Sequence, residues 1–389
     1  MTKQFITEHT HRDLLTAANE SDSIILSPTF WSIFKKNKMA LMGFRIFVIF
    51  FIVAVIGLVL TSGNKPLCNP SMVRLEEALL PPMTFSDRNI VDIDSSSAPP
   101  FGVYLFGTDD LGRDIFSRML QGAWVSLTVG FVAVGISVII GIIIGGIAGF
   151  YSEAHVSIGM LLACFSILIA IPLWVVTGNS AVRIGICIAL FTLILSKILL
   201  KHIFFLKIKT FSIDTLIMGF VDIMLCFPSF FLILTVVAIL PASIYNIMAV
   251  IGLTSWMGTA RFVRAEFLSL KKQDFVTAAF ALGVGNTRII FRHMMPNAIA
   301  PVLVSATIGI ASAILTEAGL SFLGFGVPPP YATWGNILSD GKRFIFDAPW
   351  LTFIPGFAIL IVVLCFNLFG EGLRDALNPK LRNGKNGKR

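Results

Sequence analysis

Long uncharged apolar runs alternate with short polar, basic or acidic stretches along the whole chain. The run from Ile46 to Gly63 follows a polar segment ending in Lys35-Lys36-Asn37-Lys38, and Trp124 to Phe150 contains no charged residue. Each is long enough for a membrane-spanning helix, which needs about 20 apolar residues. Val156 to Thr177 and Ile184 to about Phe205 read as a hairpin of two more spans turned at Gly178-Asn179. Lys197 and Lys201 lie near its far end, where long side chains reach the interface. Ile223 to Ala260 is too long for one crossing and divides at Pro241-Ala242-Ser243 into two. Ala298 to Leu323, interrupted by Glu317, and Trp350 to Gly370 complete a count of eight. The pattern predicts an all-α, polytopic membrane protein.

The polar stretches set the layout: a tail over 1–39, a first span over 40–63, an external loop over 64–122, the remaining spans over 123–373 and a basic tail over 374–389. From Lys65 to Gln121 the chain carries eight acids against five bases, with Pro81-Pro82 and Pro99-Pro100. At its end, Thr108 or Asp109 is placed to cap a helix whose Leu111, Ile115, Phe116, Met119 and Leu120 share one apolar face. A separate helix lying on the membrane surface is therefore expected before the next crossing. Gly141, Gly145 and Gly149 recur every fourth residue, a smooth stripe against which another helix can pack.

Composition sharpens this reading. With 56% hydrophobic and 13% charged residues, the chain is no ordinary soluble domain, where about a quarter of residues are charged. A net charge of +8 could suggest nucleic acid, but the placement of the bases decides otherwise. Of 30 Lys and Arg, 22 lie before the first span through Arg45, in Lys197–Lys209, in Arg261–Arg292 and in the tail from Arg374. Eight lie in the remaining loops. The positive-inside bias puts both termini in the cytoplasm, and lipid, not nucleic acid, is the implied partner. The N-terminal tail is too long for a signal-peptide n-region and no small-residue cleavage site follows, so the first span is expected to be retained. Cys68, Cys164, Cys187, Cys226 and Cys365 show no CxxC spacing and no metal-ligand cluster. His9 and His11 read as part of the tail.

One polar, glycine-punctuated segment stands apart, from Asp274 to Asn297. Its spacing predicts a short helix over Phe275–Leu282, broken by Gly283 and Gly285, then a second helical stretch ended by Pro296. The charge assignment makes it cytoplasmic. Catalytic patterns fail elsewhere: Gly335 to Arg343 looks briefly like a P-loop, but five residues separate the glycines and Arg343 stands where Ser or Thr must reach magnesium. There is no HExxH and no defensible Ser/His/Asp set. Glu317 is a costly carboxylate within a span, either functional or bonded to a neighbouring helix. Asp222 and Pro228 read either as a site with a pathway-lining kink or as a plain structural bend. Arg261 and Arg264 fit contacts to a partner or to lipid phosphate as well as snorkelling anchors.

The 274–297 segment resembles the EAA loop of permease subunits of ATP-binding-cassette importers. Thr277-Ala278-Ala279 holds the Glu-Ala-Ala triplet, Gly283 follows it by four residues, and Met295-Pro296 ends thirteen residues beyond that glycine in place of Leu-Pro. Thr277 and Met295 depart from the pattern. Phe106–Asp114, Val221–Pro228, Arg261–Arg264, Thr316–Gly326, Trp334–Asn336, Ala348–Trp350 and Asn367–Asp375 resemble segments of one subclass, the second permease subunit of peptide and nickel importers (the OppC/DppC type). Such members usually have six spans; here about sixty extra residues, about 152–212, follow Gly149-Phe150-Tyr151. An insertion of two spans preserves the sidedness of everything after it. Gly219 stands where the family often has Arg three residues before the Asp, so the resemblance supplies no such partner for Asp222.

The resemblance implies a multi-pass subunit of the bacterial inner membrane forming half of a pathway with a second homologous permease. Two ATPase subunits would bind ATP and magnesium, leaving no cofactor and no catalysis to this chain, and an extracytoplasmic binding protein would deliver solute. Peptides are the first expectation for that solute, nickel or another small solute the alternative. The coupling loop, about 265–296, would dock in an ATPase groove, Ala278 and Ala279 allowing close approach and Gly283 the sharp turn; the competing reading has Ala279 and Gly283 pack within the loop. An ion-coupled carrier, the other class, would need more buried ionisable groups than Glu317 and Asp222.

Overall fold

In the computed structural model, which describes residues 30–63, 66–86, 99, 101–157 and 210–377, the apolar runs are long helices. A short helix α1 (Phe30–Lys36) leads into α2 (Lys38–Thr61), whose first turn is capped by the Asn37 side chain accepting from the Ala40 amide at 3.1 Å. A segment with a two-stranded ribbon, β1 (Thr84–Phe85) and β2 (Val103–Tyr104), precedes α3 (Ile115–Phe150). A second ribbon pairs β3 (His155–Ser157) antiparallel with β4 (Thr210–Ser212). Then come α4 (Ile213–Cys226), α5 (Ser229–Ile239), α6 (Ile244–Lys271), α7 (Asp274–Ala281), α8 (Met295–Phe322), α9 (Trp334–Gly341) and α10 (Trp350–Leu377).

Among the described residues, four helices are long and apolar enough to cross a membrane: α2, α3, the run Asn286–Phe322 that contains α8, and α10. The pair α4–α5, bent by 81°, makes a fifth if it is one span. A single helix over Ile223 to Leu240 is thus not what forms. The helix starts ten residues earlier, at Ile213, and breaks at Phe227, which is extended (φ −82°, ψ 132°) because the ring of Pro228 disfavours helical geometry in the residue before it. The expected hairpin over Val156–Phe205 falls, apart from its root at β3, outside the described residues.

Helix α6 has the length of a span, yet Thr254, Ser255, Gly258 and Thr259 dilute its apolar character. Such a helix must be sheltered by others. Its neighbour is α3, and the glycine stripe is the seam: a Cβ on Gly141 would lie 2.6 Å from Thr259 Cβ, one on Gly149 2.6 Å from Phe267 Cβ, and one on Gly145 would strike the Ala260 carbonyl.

Among the described residues, the stretch 101–114 just before α3 holds no separate helix. Thr108 and Asp109 do not cap; the cap is Asp114, whose carboxylate accepts from the amides of Phe116 and Ser117 at 3.2 and 3.1 Å, and the apolar face from Ile115 to Leu120 is simply the start of α3. Gly112, at φ +69°, turns the chain just before it. Thr108 instead accepts from the Leu80 amide and donates to the Glu77 carbonyl, while Asp109 is wholly buried between Arg113 and Arg118. Arg118 also reaches Asp340 at 2.9 Å, tying α3 to α9.

A second buried cluster organises the segment between α2 and α3. The Tyr104 hydroxyl donates to Glu77, which also accepts from Ser86 at 2.7 Å, and Arg74 donates to Tyr104 at 2.9 Å and to Glu77 at 3.1 Å. Burial, then the bond to Glu77, pushes the phenol up from 10.0 to about 12. A folded-state value above the unfolded one means stability that is whole below about pH 10 and lost as pH rises through about 12, up to about 2–3 kcal/mol. Melting curves across this range should show that loss, and Tyr104→Phe should remove it from the pH dependence. A melting temperature flat to the top of the range would refute the assignment.

Candidate functional site

The loop leaving α6 is built by three devices. Helix α7 begins at Asp274 after Gln273, and the Thr277 hydroxyl donates back to the Asp274 carbonyl at 2.9 Å. It ends at Gly283, whose φ of +71° only glycine adopts freely. There the Gly283 amide bonds to the Phe280 carbonyl at 3.0 Å and the Val284 amide to the Ala279 carbonyl at 3.1 Å, the paired bonds of a Schellman stop. Finally, a helical turn (Asn286–Arg288) passes through a π turn (Ile289–Met294) straight into α8.

Pro296 therefore does not end a helix. It lies in the first turn of α8, where a missing N–H is tolerated, and the wider π turn before it accommodates the ring. The Asn297 side chain donates to the His293 carbonyl at 2.7 Å, covering an acceptor in the distorted turn.

The two alanines of the triplet part company. Val276 and Ala279 are buried in one cluster with Phe150, Val263, Phe267, Ile289 and Met294, so the small side chain of Ala279 lets α7 lie close on this chain's own α6 and π turn. Thr277 and Ala278 face outward, with exposed Phe275, Phe280 and Phe291 and with Leu282, which is 83% exposed. Phe280 also stacks on Phe150, with ring centroids 6.0 Å apart, whereas Phe275, Ala278, Leu282 and Phe291 form an apolar outer face left exposed among the described residues.

The root of the loop is held by charge. Arg264 forms a two-pronged ion pair with Asp214 at the start of α4, and Arg261 pairs with Asp222. Both arginines are thus engaged within the chain, and Asp222 finds in α6 the partner that Gly219 does not supply. Sequence alone does not mark out Asp214; its role emerges where α4 packs on α6 and sets it beside Arg264. Lys271 lies 3.4 Å from Glu153, beside the β3–β4 ribbon.

The three intramembrane candidates do not converge. Asp222 pairs with α6, Pro228 forms the elbow between α4 and α5, and Glu317 is wholly buried with its Oε1 accepting from Ser321, one turn along α8, at 2.7 Å. A Cβ on Gly335 would lie 2.7 Å from Ala318 Cα and 2.9 Å from Ser321 Cβ, so α9 rests on the same turn of α8. Among the described residues no group of His, Cys, Asp and Glu is arranged to hold a metal.

Residues 204–383 match the family described as binding-protein-dependent transport system inner membrane component, and residues 27–82 match the N-terminal TM domain of oligopeptide transport permease C. The chain is 36% identical over 349 residues to the dipeptide transport system permease protein DppC of Alkalihalophilus pseudofirmus, covering 90% of this chain and 88% of that one. The chain belongs to this permease family. Its relatives include the oligopeptide transport system permease protein OppC of Bacillus subtilis, 32% identical over 90% of this chain and 88% of that protein. The dipeptide permease DppC of Haemophilus influenzae is 33% identical over 91% and 94%. As a member of an inner-membrane permease family the chain is a multi-pass inner-membrane protein, and the family is one of transport permeases and not of enzymes.

Proposed function

We propose that this permease imports peptides as half of a two-permease pathway, and that α7 with its Gly283 stop is the element through which separate ATPase subunits drive it. The observation that carries the proposal is the loop: a helix stopped at Gly283, anchored by Val276, Ala279 and the stacking of Phe280 on Phe150, that leaves Ala278, Leu282, Phe275 and Phe291 exposed among the described residues. An apolar face of this kind marks an interaction site. Peptides follow from the relatives, named as dipeptide and oligopeptide permeases. ATP and magnesium belong to the ATPases, and an external binding protein supplies the solute to the loops over 64–122 and 324–349.

The topology is part of the same reading: eight spans, the family's six with a hairpin inserted over about 152–212, and both termini and the loop over about 265–296 in the cytoplasm. Pairing of β3 with β4 supports it, because two strands that share hydrogen bonds lie on one side of a membrane and require an even number of crossings between them. In this arrangement Pro228 bends the helix pair that borders the pathway, and Asp222–Arg261 and Asp214–Arg264 carry motion of the loop into α4.

Cysteine labelling tests the assignment. Thr277→Cys, Ala278→Cys and Leu282→Cys should react with a polar maleimide from the cytoplasmic face and be shielded when the ATPases are bound. Ala279→Cys should stay slow in both states. Equal reactivity of the first three with and without ATPase would sink the coupling role.

A further inference from the structure

Where α3 begins, a cleft of about 470 Å³ opens between the segment linking α2 to α3 and the loop that leads into α9. Ser71, Leu111, Pro329, Pro330 and Tyr331 form its exposed rim. Behind the rim lie four charged residues, of which Asp110, Arg113 and Asp340 are half-buried and Arg118 is buried. The cleft is thus mostly apolar at its exposed edge and charged where solvent is scarcer.

The charges of this network do not balance. Arg113 and Arg118 each bind both Asp109 and Asp340. Among the described residues Asp110 joins no ion pair and accepts no hydrogen bond from another residue, so one carboxylate is left over. Burial, then the charges of Asp109 and Asp340, push the Asp110 carboxyl above its ordinary value, with Arg113 opposing. A half-buried carboxylate beside two others costs stability until a cation reaches it.

The walls select the cation. A divalent metal ion needs several oxygen ligands, and here it would meet two arginines; no group of carboxylates among the described residues is arranged to hold one. A peptide's terminal ammonium sits directly on its backbone and has no stem to lay along the rim. A lysine or arginine side chain has an apolar stem that suits Leu111, Pro329 and Pro330, and a head group that the ring of Tyr331, 49% exposed, attracts.

We infer that this cleft is a socket for one lysine or arginine side chain of the external binding protein, with Asp110 as the anion that receives it. The inference rests on the reading above that the loops over 64–122 and 324–349 meet that protein, and it names the chemistry of one contact between them. Asp110 is then a residue that costs the free permease stability and is repaid on docking.

The test measures the affinity of the importer's own binding protein, purified with peptide bound, for the whole importer in lipid nanodiscs. Asp110→Asn keeps the shape and removes the charge; Asp110→Lys reverses it. Affinity should fall about tenfold or more with the first and further with the second, as expected when one partner of a desolvated charge pair is removed. The melting temperature of Asp110→Asn should equal or exceed the parent's, because repulsion from Asp109 and Asp340 is relieved; a lower one would mark Asp110 as merely structural and refute the socket. A single lysine or arginine changed to glutamate on the binding protein should restore docking to Asp110→Lys. Unchanged affinity in both variants overturns this inference and leaves delivery by the binding protein standing. Intact docking with lost uptake of a free tripeptide, but not of its N-acetylated form, also overturns it and assigns the cleft to the peptide's own ammonium. A binding protein that fails to bind the unaltered importer overturns the delivery reading and this inference with it.

Discussion

Gly283→Val should abolish coupling, whereas Gly283→Asn should leave most of it. The residue sits at φ +71°, and nothing lies within 4 Å of where a Cβ would be. The substitution cost is thus one of backbone and not of collision. A β-branched residue in the left-handed region costs about 1–3 kcal/mol, and Asn, which visits that region readily, much less. Valine will relieve its strain by leaving the left-handed conformation, which releases the Gly283 and Val284 amides from their carbonyls and swings the end of α7 off its bed. Transport by Gly283→Val should fall about tenfold or more, the rate equivalent of ~1.4 kcal/mol, with ATPase subunits lost on purification. Gly283→Asn should stay within about threefold of the parent, in keeping with its smaller strain. Should Asn and Val prove equally damaging, a partner surface pressed against Gly283 would be the cause, and the conformational account would be wrong.

The second large effect lies on the opposite side of the molecule. Asp109→Ala should destabilise the end of the bundle where α3 begins by about 3–5 kcal/mol, the range for breaking one side of a buried ion pair. The Asp109 carboxylate takes hydrogen bonds from the Leu111 and Arg113 amides at 3.0 and 2.8 Å, from Arg113 Nε at 2.7 Å and from Arg118. Its removal leaves Arg118, 4% exposed, with Asp340 as its remaining carboxylate. Asp340 is 35% exposed, so Asp340→Asn should cost far less, about 1 kcal/mol or below. Thermal unfolding of the purified variants ranks them, and pairing Asp109→Ala with Arg118→Met should recover part of the loss. Equal stability of Asp109→Ala and the parent would mean that this network is solvated in the membrane-bound protein.

What could be read from the sequence followed the range of each signal. Helix α7 was legible to within a residue at each end because its limits are local: a stretch of helix formers and a glycine at the stop. The long spans were legible because apolarity over some twenty residues suffices. The start of α4 was not, since Asp214 and Asp222 interrupt the apolar run and only the fold shows that Arg264 and Arg261 neutralise them. Pro296 misled for a related reason: proline within a helical pattern signals a stop, and the π turn that lets the helix continue has no signature in residue type. At the N-terminus of α3, Thr108, Asp109 and Asp114 are all acceptable caps; the long-range demands of Leu80, Glu77 and Arg118 on the first two decide the outcome. The Thr277-Ala278-Ala279 triplet was recognised as a pattern, but which alanine faces inward depended on the position of Phe267 and Ile289, on α6 and beyond the turn.

The small ribbon of β3 and β4 has a bearing on how such a chain tolerates growth. Ser157 stands opposite Thr210, and the Ile213 amide bonds to the Ala154 carbonyl at 3.0 Å, so the core leaves off and resumes at adjoining points. Because the cost of joining two adjacent points grows only slowly with the length of the connection, the ribbon holds the start of α4, and with it the clasp of Asp214 on Arg264, in a way that depends little on how many residues separate its two strands.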